Sequence, residues 1–363
     1  MAGIAKAPSR FQQFFSRLQK IKLTQKIFFV QQLGVMVRTG ISLSVGLKTL
    51  SEQTDNKYFK KILVDLQQGV EQGNLLSAGL EKYRHTFGDM FINMIRAGET
   101  SGKLEDVMRQ LFMQMKKDHE IVSKVRGAMI YPSVVVTLMI AIGILVMVYV
   151  IPNITGIFEE LNVELPLFTR ILIGLSHVLV NYGLYIGLAA ILLFVGLQRL
   201  ISLPKGKMAF HKLVLKIPIM GKIIRKINIA RFCRTLSSLL KTDIPIVKSF
   251  EITSRILGNV VYRSALMDAK EKIKKGVSIE ESLRQYQTLF PPVVLQMISV
   301  GEDTGTLDTI LEESATFYED DVNQTMTDLP SLIEPILLVV IGVGVGAMAV
   351  AVIMPLYSLS EQI

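Results

Sequence analysis

Ala97-Gly-Glu-Thr-Ser-Gly-Lys-Leu-Glu-Asp106 orders the whole chain, because it occurs twice. The second copy reads Val300-Gly-Glu-Asp-Thr-Gly-Thr-Leu-Asp-Thr309. Gly98, Glu99, Gly102 and Leu104 meet Gly301, Glu302, Gly305 and Leu307 at a shift of 203 residues. Working outward, the same shift pairs Phe29 with Phe232, Leu33 with Leu236 and Thr39 with Thr242. It also pairs Gly73 with Gly276, Tyr83 with Tyr286, Phe87 with Phe290 and Met94 with Met297, without a gap. Chance does not hold one register over so long a stretch, so the chain is an internal duplication.

The duplicated unit reads as helical. Apolar residues recur at three and four positions (Ile62, Leu63, Leu66, Val70), and β-hairpin signals are missing. Thr39-Gly40, Asp55-Asn56 and Gly73-Asn74 punctuate helices expected over 25–37, 43–53, 58–72 and 75–83. A further helix starts near Leu104 and meets no breaker before Gly127 and Pro132. It is expected to continue into the apolar run beyond, with a bend at Pro132.

Half of the 363 residues are hydrophobic and the mean hydropathy is +0.42, which puts membrane segments ahead of any enzyme reading. Ser133 to Ile151 is uncharged and lies between Pro132 and Pro152. Its length is about 28 Å as a helix, against a hydrocarbon core of ~30 Å. Ile336 to Met354, between Pro335 and Pro355, is its copy at the repeat shift. A third apolar run within 171–198 has no counterpart.

Charge sets the orientation. The net charge is +9, but it is unevenly spread. Lys124 and Arg126 precede the first span, and ten basic residues with no acid run from Arg199 to Arg234. The loop 152–170 carries Glu159, Glu160 and Glu164 against Arg170 alone. The positive-inside rule puts both lobes in the cytoplasm, with the short loop and the C-terminus outside. The expected fold is therefore an all-α integral membrane protein with three transmembrane helices and two homologous cytoplasmic helical domains. Its parts are a basic amphipathic lead-in (1–25), domain 1 (26–131), span one (132–152), an external loop (153–170) and span two (171–198). Domain 2 (199–334), span three (335–357) and a tail (358–363) complete it. The lead-in lacks the apolar core of a signal peptide, so insertion is expected to rely on the internal spans. Nine acids between Glu302 and Asp328 face the problem of where to find partners. The basic arm 199–234 is one answer, and two independently solvated faces are the other.

Several chemistries are not supported. Gly102-Lys103, Gly206-Lys207 and Gly221-Lys222 lack the glycine five positions earlier that a phosphate-cradling loop needs. His85, His119, His177 and His211 show no metal-ligand spacing, and the single cysteine, Cys233, sits in an apolar run that reads as core. The first and third spans hold no ionisable residue, which argues against a transport path. The basic arm lacks interleaved aromatics, so anionic lipid explains it better than nucleic acid. In the repeated motif, Gly98 and Gly301 are expected to end a helix in a left-handed conformation, and Gly102 and Gly305 to allow a tight turn. Glu99 and Glu302 are placed to meet backbone N–H groups of the following helix, or else to touch a partner or a cation. One acid per turn is far short of the oxygen ligands Ca²⁺ takes.

These residues resemble a family, the inner-membrane platform proteins of type II secretion and type IV pilus machines. Lys124-Val-Arg-Gly-Ala-Met-Ile-Tyr-Pro132 with Pro152 is similar to its signature at span one. Lys216-Ile-Pro-Ile-Met-Gly-Lys222 through Phe232 resembles the entry to its second domain. Ile333-Glu-Pro-Ile336 and Pro355 resemble its last span. The resemblance implies a six-helix bundle for each domain and a homo-oligomeric scaffold without catalysis, cofactor or metal. It implies as partners a cytoplasmic assembly ATPase, pilin or pseudopilin subunits, other inner-membrane assembly proteins and lipid. Glu99 and Glu302 become the expected partner contacts. Gly98, Gly102, Gly301, Gly305, Tyr131, Pro132, Pro152, Glu334, Pro335 and Pro355 become structural motif residues. Some relatives bind Ca²⁺ near the first Gly-Glu, but Lys103 stands here where a second acid would help. Asp243 replaces the family's usual glycine before Ile-Pro and is expected to keep its left-handed turn. The reading from another class is a membrane transporter with internal repeats.

Overall fold

A computed structural model of the chain describes residues 21–153 and 167–360. The expected lead-in up to residue 20, most of the acidic loop (154–166) and the last three residues lie outside the described residues. Every regular element among the described residues is helical. The first lobe contains α1 (Leu23–Arg38), α2 (Leu43–Glu52), α3 (Lys57–Glu71), α4 (Leu76–Glu81), α5 (Arg84–Phe87) and α6 (Asp89–Ser101). α7 (Leu104–Leu145) follows, then a π turn (Val146–Val150) and α8 (Leu167–Ser202). α9 (Pro204–Lys216) leads to α10 (Pro218–Leu240), α11 (Ile246–Ile256), α12 (Val260–Ile273), α13 (Ile279–Arg284) and α14 (Pro292–Thr304). α15 (Leu307–Ser360) closes the chain.

The repeat governs the element boundaries. α13, α14 and the start of α15 fall at the same 203-residue shift from α4, α6 and the start of α7. Turn chemistry repeats with them. Asn56 accepts from the Tyr58 and Phe59 N–H groups at the start of α3, and Asn259 accepts from Val261 N–H at the start of α12. Gly73 and Gly276 both take a left-handed φ (84° and 87°). Gly40 (φ 81°) corresponds to Asp243 (φ 59°), which is the only non-glycine among the described residues with positive φ. The Asp243 carboxylate reaches Lys103 at 3.1 Å, but both side chains are mostly exposed, so the pair adds little. Asp243→Gly is therefore expected to leave stability within about 0.5 kcal/mol of wild type. Asp243→Val is expected to cost about 1–2 kcal/mol, because a β-branched residue resists this backbone. Unfolding midpoints of the two variants check this, and the reverse order contradicts it.

The described residues form two compact units. One comprises the chain up to Val122 together with His211–Val322. Its first lobe buries Phe29, Leu33, Phe59, Leu63, Leu80, Ile95 and Met108, and its second buries their repeat partners Phe232, Leu236, Tyr262, Leu266, Leu283, Ile298 and Leu311. Each such side chain stabilises by roughly 1.5–3 kcal/mol relative to exposure. The aromatic triangle Phe29/Phe59/Phe87 becomes Phe232/Tyr262/Phe290, and the added Tyr262 hydroxyl donates to the Leu289 carbonyl (2.8 Å). Leu239, Ile244 and Ile252 of the second lobe complete the first lobe's core, while the second lobe keeps a separate core of its own. Cys233 is fully buried, and burial pushes its thiol up to about 12.

The other unit holds Ser123–Phe210 and the chain from Asn323. Three helical runs are long and apolar enough to cross a bilayer: Leu104–Asn153, Thr169–Ser202 and Leu307–Ala347. Leu184, Leu193 and Val343 expose more than half of their surface, as lipid-facing side chains do. Pro132, Pro335 and Pro355 lie inside helices, as expected for Pro132, and Pro152 lies in the last described turn of its run. In hydrocarbon the remaining amides have no alternative partner, so the helix continues past a proline. Near the end of span one the ladder loosens into the π turn, and the Ser176 hydroxyl donates to the Met147 carbonyl there (2.5 Å).

Candidate functional site

The repeated motif is a helix–turn–helix joint, and its glycines work in the opposite order from the one expected. Gly98 and Gly301 do not end helices; they lie within α6 and α14. A Cβ on Gly98 would meet Val107 Cγ2 at 2.9 Å, and one on Gly301 would meet Leu307 Cα at 2.9 Å. They are glycines so that the next helix can pack against this one. Gly102 and Gly305 are the residues that end the helices, left-handed at φ 70° and 71°. Leu104 and Leu307 then open α7 and α15.

The glutamates turn back into their own lobes rather than toward the following helix. Glu99 accepts from the Leu76 N–H (2.5 Å) and the Ser77 N–H (3.1 Å) at the start of α4. Leu75, the cap position of α4, offers no side-chain acceptor, so Glu99 takes that part from another helix. Glu302 accepts from the Ile279 N–H through both oxygens (3.0 and 2.9 Å), while Ser278 serves the Glu281 N–H (3.2 Å). A carboxylate beside a helix N-terminus gains both hydrogen bonds and a favourable field. A second polar clasp repeats as well. The Tyr83 hydroxyl donates to Asp65 (3.0 Å), and that of Tyr286 donates to Asp268 (3.1 Å).

The two joints open on one cleft of about 670 Å³. Lys103, Asp106 and Gln110 line it from the first lobe, and Lys241, Asp308 and Thr309 from the second. Most of its charges are paired: Arg109 with Asp106 (2.8 Å), Lys103 with Asp243, and Lys241 with Glu312. Among the described residues no group of three His, Cys, Asp or Glu stands close enough to hold a metal ion. The cleft's lining is mostly polar.

Below the cleft runs a buried polar seam. Arg234, on α10, grips Glu319 of α15 with two bonds (2.7 and 2.9 Å) and also reaches Thr316 (3.0 Å). Glu319 is only 2% exposed. Lys117 of α7 lies 3.4 Å from the same carboxylate, and Arg231 lies 3.2 Å from Asp118. Gln114, also buried, donates to Thr235 (3.3 Å) and accepts from Ser238 (3.1 Å), and Gln110 donates to Ser238 (3.0 Å). Burial raises the Asp118 carboxyl above its ordinary range, and Arg231 works against that rise.

The attraction between the basic arm and the acidic helix is thus real for Arg234 with Glu319 and for Lys226 with Asp321 (2.7 Å). What sequence reasoning missed is that α7 joins it. At the repeat shift Gln114 corresponds to Phe317 and Arg234 to Gln31, so the seam is where the copies diverge. Polar residues standing where the other copy is apolar or uncharged were the available signal. Of the remaining motif residues, Tyr131 and Glu334 are exposed on α7 and α15, and Pro132 is buried.

A family model described as Type II secretion system (T2SS), protein F matches residues 29–152 and again residues 232–355. The two matches stand in the register of the repeat. The type IV pilus assembly protein PilC of Thermus thermophilus is 35% identical over 331 residues, covering 91% of this chain and 81% of that protein. The type IV pilus assembly protein PilC of Pseudomonas aeruginosa is 30% identical over 348 residues, covering 95% and 92%. The type II secretion system protein F of Vibrio cholerae is 29% identical over 356 residues, covering 98% and 87%.

Proposed function

Because the chain belongs to the type II secretion system protein F family, we propose that it is the non-enzymatic inner-membrane platform of a type IV pilus or type II secretion machine. In this role it couples a cytoplasmic assembly ATPase to the extraction of pilin or pseudopilin subunits from the membrane. The observation that carries the reading is the pair of unbroken helices. α7 and α15 each start at a Gly-Glu joint beside one cleft and run on into an apolar span. In each copy one helix therefore links a joint to an apolar span.

Lys124, Arg126 and the basic arm favour an orientation with the N-terminus and both lobes in the cytoplasm, where the ATPase is. Partner contact is made at the cleft, and Glu99 and Glu302 serve it by holding the joints in shape. Copies of the chain and other inner-membrane assembly proteins complete the platform. The test is recovery of the tagged chain from native membranes. A hexameric ATPase is expected to co-purify, and the chain alone is expected to hydrolyse no ATP. ATP hydrolysis by the isolated chain, or its recovery from assembling cells without the ATPase, contradicts the proposal. Substrate uptake by vesicles holding the chain alone would favour a transporter.

A further inference from the structure

Span two leaves the membrane through a sharp elbow. At Leu203-Pro-Lys-Gly-Lys207 the Leu203 N–H is bonded to the Leu200 carbonyl (3.2 Å). The approach is so close that a Cβ on Gly206 would lie 2.0 Å from that oxygen. Only glycine lets α9 fold back against the last turn of α8. A second elbow, Ile217-Pro-Ile-Met-Gly-Lys222, ends α9 in the same way, and a Cβ on Gly221 would lie 2.3 Å from the Leu215 carbonyl. α9 begins two residues after the span stops.

Its side chains sort into three stripes. Leu215 is buried in the second lobe's core, and His211 accepts from the Val260 N–H (2.9 Å), so this stripe holds the helix to the protein. A second stripe is apolar yet exposed: Leu203 is 58% exposed, Leu213 is 62% exposed, and Ile217 continues it. Leu213 lies within α9, and Leu203 and Ile217 stand in the elbows at its two ends. A third stripe holds Lys205, Lys212 and Lys216, all exposed, and Lys207 flanks the apolar stripe on its other side. From Arg199 to Lys222 there is no acid to neutralise these cations. An apolar stripe between lysines, tied to the exit of a membrane span, has the chemistry of an interfacial helix. We propose that α9 lies on the membrane surface, with Leu203, Leu213 and Ile217 among the acyl chains and its lysines at anionic lipid headgroups. The occupant is the lipid leaflet rather than a protein. Continuity with span two supplies the apolar phase, and the unneutralised lysines select anionic lipid. The inference rests on no partner of the pilus or secretion reading.

The chain contains no tryptophan, so one introduced residue reports alone. The full-length Leu213→Trp protein, reconstituted in vesicles of phosphatidylcholine and phosphatidylglycerol, is expected to lose at least about half its emission when the lipids carry brominated acyl chains, given burial of ~5–10 Å. Phe317→Trp, at an exposed position on α15, is the water-exposed control and is expected to be unquenched. Removing phosphatidylglycerol, or changing Lys205, Lys207, Lys212 and Lys216 to Gln, is expected to reduce quenching of Leu213→Trp at least about twofold. If Leu213→Trp fails to fold, Leu203→Trp and Ile217→Trp give the same readout. Quenching no greater than that of the Phe317→Trp control overturns the proposal. So does protection of Leu213→Trp that depends on an added protein and not on lipid.

Discussion

Arg234→Ala is expected to lower the unfolding free energy of the two-lobe unit by about 3–5 kcal/mol. Removing the guanidinium strands Glu319, which is 2% exposed and has only Lys117, at 3.4 Å, as a remaining cation. A carboxylate left in that position keeps its desolvation cost and loses two bonds of 2.7 and 2.9 Å. For a unit of this size the loss corresponds to roughly 2–4 °C in midpoint per kcal/mol. Replacing both partners, Arg234→Met with Glu319→Leu, is expected to recover most of it, because an apolar pair of similar volume needs no compensation. Lys117→Ala is expected to cost about 1 kcal/mol or less, since its side chain is 31% exposed. Thermal unfolding of the detergent-solubilised protein reads all three. An Arg234→Ala protein as stable as wild type would show that this buried pair does not brace the second lobe.

Charge reversal at the joints is the second large effect. Glu99→Arg places a cation against the N-terminus of α4, where two N–H groups now meet a carboxylate. The lost bonds and the reversed field are expected to cost about 2–3 kcal/mol. Glu302→Arg is expected to cost less, because Ser278 still serves α13. Glu99→Gln keeps an acceptor oxygen and is expected to lie between wild type and Glu99→Arg. Both reversed proteins are expected to insert in the membrane, since the spans are untouched, but to bind the assembly ATPase weakly. If binding is unchanged while stability falls, the glutamates brace the fold and nothing more.

How far the sequence carried this account depends on locality. The duplication, the helical class and the three spans were legible because each leaves a periodic or compositional trace within a short window. The left-handed Asp243 was legible from the glycine usual there in the family it resembles, and its repeat partner is Gly40. The roles of Gly98 and Gly102 were not. A left-handed glycine and a close-packed one read alike until the next helix is placed, and only then does Val107 stand 2.9 Å from a Cβ on Gly98. The passage of α7 through Pro132 was legible as well, because the helix expected from Leu104 runs on into the apolar stretch beyond it. The glutamates were seen as helix caps, but for the wrong helix, because the cap bridges 23 residues of chain between Leu76 and Glu99. The Arg234–Glu319 bond joins residues 85 apart, and the charge blocks announced the attraction without naming the pair or the part α7 plays.

The central claim is that this chain is the platform on which a pilus or pseudopilus is built. The most direct measurement is filament assembly, or release of the secreted protein, in cells lacking it, with wild-type and Glu99→Arg/Glu302→Arg chains restored in turn. Assembly is expected to be lost on deletion, regained with the wild type, and lost again with the reversed pair although that protein is present in the inner membrane. Normal assembly in the deletion strain would contradict the account.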